Sequence, residues 1–156
     1  MSVEPLQPFH IATTVVDLDR TRSFYCGLLG CAVGREAENW IDFDFFGHQL
    51  STHQRAGSTE ISQPCGAVDG DAVPIPHFGA ILTMSQWRRL RDRLLGFGSE
   101  VRWVLEPKIR FEGKPGEQGT FFILDPSGNA LEFKGFADNA MIFAREPTPA
   151  RPSPSV

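Results

Sequence analysis

"PFHIATTVVDLDRTRSFYCGLLG", residues 8–30, and "IPHFGAILTMSQWRRLRDRLLGFG", residues 75–98, are one pattern written twice. His10 falls on His77, near the start of a stretch of β-type residues that gives way to an amphipathic helix. Both helices stop at Leu-Leu-Gly, where Gly30 and Gly96 suit the position just past a helix end. The first helix is predicted over about 17–29, with Asp17 as N-cap and Leu18, Tyr25, Leu28 and Leu29 on its apolar stripe. The second is predicted over about 85–95, capped by Ser85, with Trp87, Leu90 and Leu94 buried. Its Arg88, Arg89, Arg91 and Arg93, diluted by Asp92, read as a solvated face.

Three strands are predicted after each helix. They are residues 31–36, "WIDFDF" at 40–45 and "HQLSTH" at 48–53, then "EVRWVLE" at 100–106, "GTFFILD" at 119–125 and "NALEFK" at 129–134. Gly47 and Gly128 turn the chain into the last strand of each half. The expected organisation is βαβββ twice, with a first module over 1–55, a Gly-, Ser- and Pro-rich linker without periodicity over 56–74, and a second module over 75–137. The remaining 138–156 is a C-terminal extension. "DNAMIFARE" at 138–146 suits a short helix that caps a sheet end or packs on a second subunit, and the Pro- and Ser-rich end suits disorder.

Bulk properties narrow the function. The 156 residues carry a net charge of −4 with no long basic run, which argues against nucleic acid as a partner. No apolar run is long enough to span a membrane, and "MSVEPLQPFH" lacks the features of a signal peptide. Cys26, Cys31 and Cys65 are odd in number and lack CxxC spacing, so reduced thiols in a cytoplasmic protein are expected.

Period 2 assigns the faces of the strands. His10 shares one with Ala12 and Thr14, and His77 shares one with Gly79 and Ile81. In "LDPSGNALEFKGF", 124–136, Leu131 and Phe133 share a face, while Glu132 lies with Ala130 and Lys134. Alone, this strand reads first as a half-buried strand with a wet face, and only second as a carboxylate aimed into a pocket. With helices covering one side of each sheet, His10, His77 and Glu132 all point to the other. Two histidines and a carboxylate make a facial metal triad with open coordination positions.

These stretches, with "PIPHFGAIL" and "FFILDPSGNALEFK", resemble the vicinal oxygen chelate family of glyoxalases, fosfomycin- and bleomycin-resistance proteins and extradiol dioxygenases. The resemblance covers about 7–137. It implies an α+β fold in which two βαβββ modules pair into a cup-shaped mixed β-sheet with helices on its outer face. It also implies that His10, His77 and Glu132 hold a divalent metal.

Glyoxalase-like members carry a fourth ligand, a Glu on the last strand of the first module. Ser51 holds that position here, so three ligands are expected. Fe(II) is favoured, with Mn, Ni, Zn or Co as alternatives. His53, one pleat further along, suits an acid/base group, a partner of a ligand or a fourth ligand. Gln49 and Ser51 are candidate substrate contacts on the same face. Arg110 and Lys114, in a long connection over 107–119, are candidates for binding a carboxylate or phenolate.

The expected function is a metal-dependent, dioxygenase-like enzyme acting on a small molecule chelated through adjacent oxygens. A glyoxalase-like lyase or isomerase, or a thiol transferase, is the alternative within enzymes. A metal-free binding protein of the bleomycin-resistance type is the alternative outside them. A homodimer is expected, because Phe-rich sheet edges need cover. In a swapped arrangement His10 meets His77 and Glu132 of the other chain.

Overall fold

The computed structural model describes residues 4–145. β1 (His10–Val15) leads into α1 (Leu18–Arg22), which continues as a π-helical stretch, Ser23–Leu28. Then come β2 (Ala32–Ala37), β3 (Trp40–Phe45) and β4 (His48–Gln54). A hairpin follows, β5 (Cys65–Val68) and β6 (Asp71–Pro74). The second unit is β7 (Phe78–Thr83), α2 (Met84–Gly96), β8 (Arg102–Arg110), β9 (Gln118–Leu124) and β10 (Ala130–Phe136). A 3-10 helix, Asn139–Phe143, closes the described chain. The tail predicted to be disordered lies outside the described residues.

The fold is α+β, with βαβββ written twice. Each unit is a mixed four-stranded sheet, ordered β1-β4-β3-β2 and β7-β10-β9-β8, in which the edge strand preceding the helix runs parallel to the last strand. The chain enters α1 at Asp17, whose Oδ1 accepts from Arg20 N at 2.7 Å. It leaves the π-helical stretch at Gly30, φ 79°, a conformation open to glycine.

The second helix departs from expectation at both ends. Its N-cap is Thr83, two residues before Ser85, because Thr83-x-x-Gln86 forms a reciprocal capping box. Gly96 stays inside the helix, Phe97 caps it, and Gly98 takes the positive φ. Arg93 is no solvated charge. Its guanidinium donates to Leu28 O and Gly27 O, both at 2.7 Å, and so satisfies free carbonyls where the first unit's helical segment ends.

The segment over 56–74 also differs, since part of it is the β5–β6 hairpin. Asp69 and Gly70 both have positive φ, 47° and 80°, as a two-residue hairpin turn requires.

One hydrophobic core joins the helix-side faces of both sheets. Tyr25 stacks on Phe43 at 5.0 Å between ring centroids, and Phe45 meets Phe78 at 5.8 Å and Phe133 at 5.9 Å. Trp87 is buried and donates from Nε1 to Phe133 O at 3.0 Å. The opposite, polar faces of the two sheets therefore turn away from the shared core and from each other.

The Asp125–Asn129 turn fastens the halves together. Asp125 Oδ1 accepts from the backbone N–H groups of Ser127 and Asn129, and its Oδ2 accepts from Tyr25 Oη at 3.0 Å. Ser127 Oγ accepts from Val16 N at 2.9 Å. Asn129 accepts from Thr13 Oγ1 and donates to Thr14 O. The turn thus serves more than its own backbone, since it anchors β1 of the other unit. Gly128, φ 84°, lies where a Cβ would stand 2.1 Å from Ile61 O. Burial raises the Asp125 carboxyl above its usual range, opposed by hydrogen bonds from Asn129, Ser127 and Tyr25.

Candidate functional site

Register puts the polar faces into rows. In the first sheet, His10 lies opposite Gln49 and Asp44, Ala12 opposite Ser51 and Asp42, and Thr14 opposite His53 and Trp40. In the second sheet, Gly79 lies opposite Glu132 and Phe122, and Ile81 opposite Lys134 and Thr120. Ala12 and Gly79 are equivalent in the repeat, so Ser51 and Glu132 are equivalent too.

Glu132 is not on a wet face. Its side chain is 7% exposed. Oε1 accepts from Thr120 Oγ1 at 2.8 Å, and Oε2 lies 3.2 Å from His77 Nε2. Arg110 Nη1 stands 3.7 Å and Lys134 Nζ 3.8 Å from its oxygens. Gly79 makes the close approach of β7 possible, because a Cβ there would lie 1.5 Å from Glu132 O.

His77 precedes β7. Its Nδ1 lies 2.6 Å from Pro74 O, an acceptor only, so Nδ1 carries a proton and donates. Its ring stands nearly perpendicular to that of Phe122, with centroids 4.8 Å apart. The hydrogen bond with Glu132 raises the His77 pKa above its ordinary value, against partial burial. Burial alone would raise Glu132, but His77, Lys134 and Thr120 together hold it below its ordinary value. Between the lowered Glu132 pKa and the raised His77 pKa, the pair is therefore an imidazolium facing a carboxylate.

His10 does not join them within the chain. It is exposed on β1, in the other sheet, and no group of three His, Cys, Asp or Glu side chains able to hold a metal occurs among the described residues. The shared core explains this, since the faces carrying His10 and Glu132 point apart. His53 is exposed on β4, with its ring 6.4 Å from Trp40.

Gln49 Nε2 donates to Asp42 Oδ2 at 3.2 Å, and the Ser51 hydroxyl donates to Asp42 Oδ1. Asp42, 6% exposed, was not singled out from the sequence. The alternation of "WIDFDF" already places it with Trp40 and Asp44, across from Ser51, opposite the apolar Ile41 and Phe43.

The long connection over 107–119 is shorter than expected. β8 runs to Arg110 and β9 begins at Gln118, because the strands pair that far. Arg110 is consequently a buried strand residue, 2% exposed, bonded to Asp71 Oδ2 at 3.2 Å and lying over the Phe122 ring. Asp71, at the tip of the β5–β6 hairpin, also accepts from Lys108 at 3.0 Å. These partners, Lys108 first, hold the Asp71 carboxyl below its usual range despite some desolvation. Lys114 stays exposed in the connecting turn.

The sequence profile of the Glyoxalase/Bleomycin resistance protein/Dioxygenase superfamily matches residues 7–133, across both modules. The chain belongs to this superfamily. A glyoxalase/bleomycin resistance protein/dioxygenase from Alicyclobacillus acidocaldarius is similar at 32% identity, with TM-score 0.72 over 88% of this chain and 96% of that one. Two further structures show likeness of fold alone. The fosfomycin resistance protein FosX from Listeria monocytogenes is 13% identical, with TM-score 0.61 over 90% of this chain and 98% of that one. A lactoylglutathione lyase from Agrobacterium tumefaciens is 18% identical, with TM-score 0.58 over 86% and 97%. No curated protein matches the chain. The superfamily contains enzymes as well as binding proteins. Among the described residues no helix is long and apolar enough to cross a membrane.

Proposed function

We propose that the protein is a metal-dependent enzyme of this superfamily, with each site shared between the two protomers of a homodimer. His77 and Glu132 of one protomer and His10 of its partner would hold one divalent ion. The observation that carries this is the His77–Glu132 pair. Pro74 O fixes the Nδ1 proton of His77, so loss of the Nε2 proton leaves a lone pair beside Glu132 Oε2. A backbone carbonyl orienting a metal-ligating imidazole is the usual arrangement. Because His10 faces away within its own chain, a single chain supplies two ligands and a second copy supplies the third.

A divalent metal held by these residues would stabilise charge developing on adjacent oxygens of a small molecule. Ser51 spends its hydroxyl on Asp42, which favours three ligands over four and hence dioxygenase-like chemistry with Fe(II). A lyase or isomerase using Mn, Ni, Zn or Co is the runner-up, and a metal-free binding protein the reading outside enzymes. The chain's own residues do the rest. Thr120 holds the Glu132 carboxylate in place. Lys134 and Arg110 lower the cost of its charge, and His53, one pleat beyond Ser51 on the same face, handles a proton.

Complementation tests the shared site. His10→Ala and Glu132→Gln homodimers should each lose tight metal binding. Refolded together, they should give heterodimers with one intact site per dimer, bound as tightly as in the wild type. Failure of the mixture to bind metal would refute sharing. Failure of the wild type to bind Fe(II), Mn(II), Ni(II) or Zn(II) at micromolar concentrations would refute the metal and leave the binding-protein reading.

A further inference from the structure

One short strand serves both members of the His77–Glu132 pair. β6 begins at Asp71, which takes the guanidinium of Arg110, and ends at Pro74, whose carbonyl fixes His77. Between them Val73 is fully buried, and β6 pairs along its length with β5. The strand is therefore anchored, and it reaches His77 directly and Glu132 through Arg110.

Arg110 sits between two carboxylates. It is buried, with its guanidinium carbon 5.8 Å from the centre of the Phe122 ring. Nε and Nη2 both donate to Asp71 Oδ2, at 3.3 and 3.2 Å. The remaining nitrogen, Nη1, stands 3.7 Å from Glu132 Oε1, beyond hydrogen-bond reach. A planar guanidinium presents its N–H groups as a fork and pairs best with two carboxylate oxygens at once. Asp71 turns that fork aside, so Glu132 meets only one distant end of it. Glu132 Oε1 accepts from Thr120, and Oε2 is left facing His77. A fork closed on Glu132 would take up the lone pairs that a ligand at this site needs.

We propose that Asp71 is a positioning residue, which draws Arg110 off Glu132 and so keeps that carboxylate open to a metal ion. The assignment rests on the reading of Glu132 as a metal ligand. Its cause is competition for a buried charge. A guanidinium shut in the interior needs an anionic partner, and with Asp71 gone the next one is Glu132. Lys108, which also donates to Asp71, is 39% exposed and can turn to water. Arg110, at 2% exposed, has no such exit.

Two measurements test this. The first needs no metal: crystal structures of chelator-treated wild type and Asp71→Ala. The Arg110–Glu132 separation should contract from 3.7 Å to about 2.8 Å, the length of a charge-assisted pair. A guanidinium that stays in place, or that turns instead to the buried Oε1 of Gln118 across the ladder, would overturn the proposal. The second is calorimetric titration with Zn(II) at a temperature where each variant is folded. Asp71→Ala should bind about 10–100-fold more weakly than the wild type, as when a group supporting a ligand is removed. Arg110→Met keeps an apolar stem on Phe122 and removes the fork. Its gain in affinity should be about fivefold or more larger in the Asp71→Ala background than in the wild type. Equal gains would make Asp71 a distant charge only, and no gain in the double variant would make it a prop of the fold only; either overturns the proposal. Should Asp71→Ala fail to fold, Asp71→Asn, which keeps the shape and loses the charge, should show smaller changes in the same directions. If the wild type binds no Zn(II), the metal reading falls, and the Arg110–Glu132 separation still decides the role of Asp71.

Discussion

Glu132→Gln in metal-free protein should destabilise the fold in a pH-dependent way. The substitution keeps the shape and the Thr120 hydrogen bond but removes the charge facing His77 Nε2 at 3.2 Å. The Glu132 pKa is held below its ordinary 4.5, so the pair's contribution is present above that pH and lost as pH falls through the lowered value. The His77 pKa is raised above 6.5, so the contribution is full below 6.5 and lost as pH rises through the raised value. The window of greatest benefit is therefore about pH 5–6.5. A hydrogen bond to a charged group is worth about 1.5–3 kcal/mol, and both side chains are less than a third exposed. At about 2–4 °C per kcal/mol for a chain of this size, Tm at pH 6 should fall by about 3–12 °C. Once pH has risen past the raised His77 pKa, only the part due to Arg110 and Lys134 should remain. Thermal melts in chelator from pH 5 to 9 measure this directly. An equal loss at pH 6 and pH 9 would show that His77 does not ionise against Glu132.

The remaining predictions concern the same elements. Metal binding must displace the His77 Nε2 proton, so affinity should rise with pH below the raised His77 pKa, and calorimetry in buffers of different ionisation enthalpy should register the released proton. His53→Ala should leave metal affinity within about twofold and, once a substrate is known, lower turnover by roughly 10²–10⁴; unchanged turnover would make it an ordinary exposed residue. Asn129→Ala removes bonds to Thr13, Thr14 and Asp125 at a buried junction and should cost about 2–4 kcal/mol in urea unfolding.

What was legible in the sequence was local and periodic. The offset between His10 and His77 recurs in the observed registers, where Ala12 pairs with Ser51 as Gly79 pairs with Glu132. That is why the alignment of Ser51 with Glu132 holds strand by strand. Period 2 also assigned each side chain its face, because alternation is a property of one strand. It could not say how one sheet lies against another. That depends on contacts such as Phe45 with Phe133, far apart in the chain, and it decides that His10 faces away from Glu132. The β5–β6 hairpin was overlooked although Asp69-Gly70 is a hairpin turn signal, because its four-residue strands are too short to show a pattern. Arg93 read as solvated because the carbonyls it caps belong to the other module.

The buried carboxylate of Asp42 constrains how this chain could diversify. A glutamate at position 51, the counterpart of Glu132, would stand directly across the ladder from Asp42, in the place of the hydroxyl that now donates to it. Two carboxylates so placed repel, and one would have to take up a proton. Ser51→Glu should therefore be harmful while Asp42 remains and tolerated once it is replaced by serine. The two changes are ordered, and a double-mutant cycle would register that as sign epistasis. Mutational routes between three-ligand and four-ligand chemistries on this scaffold would then pass through position 42 first.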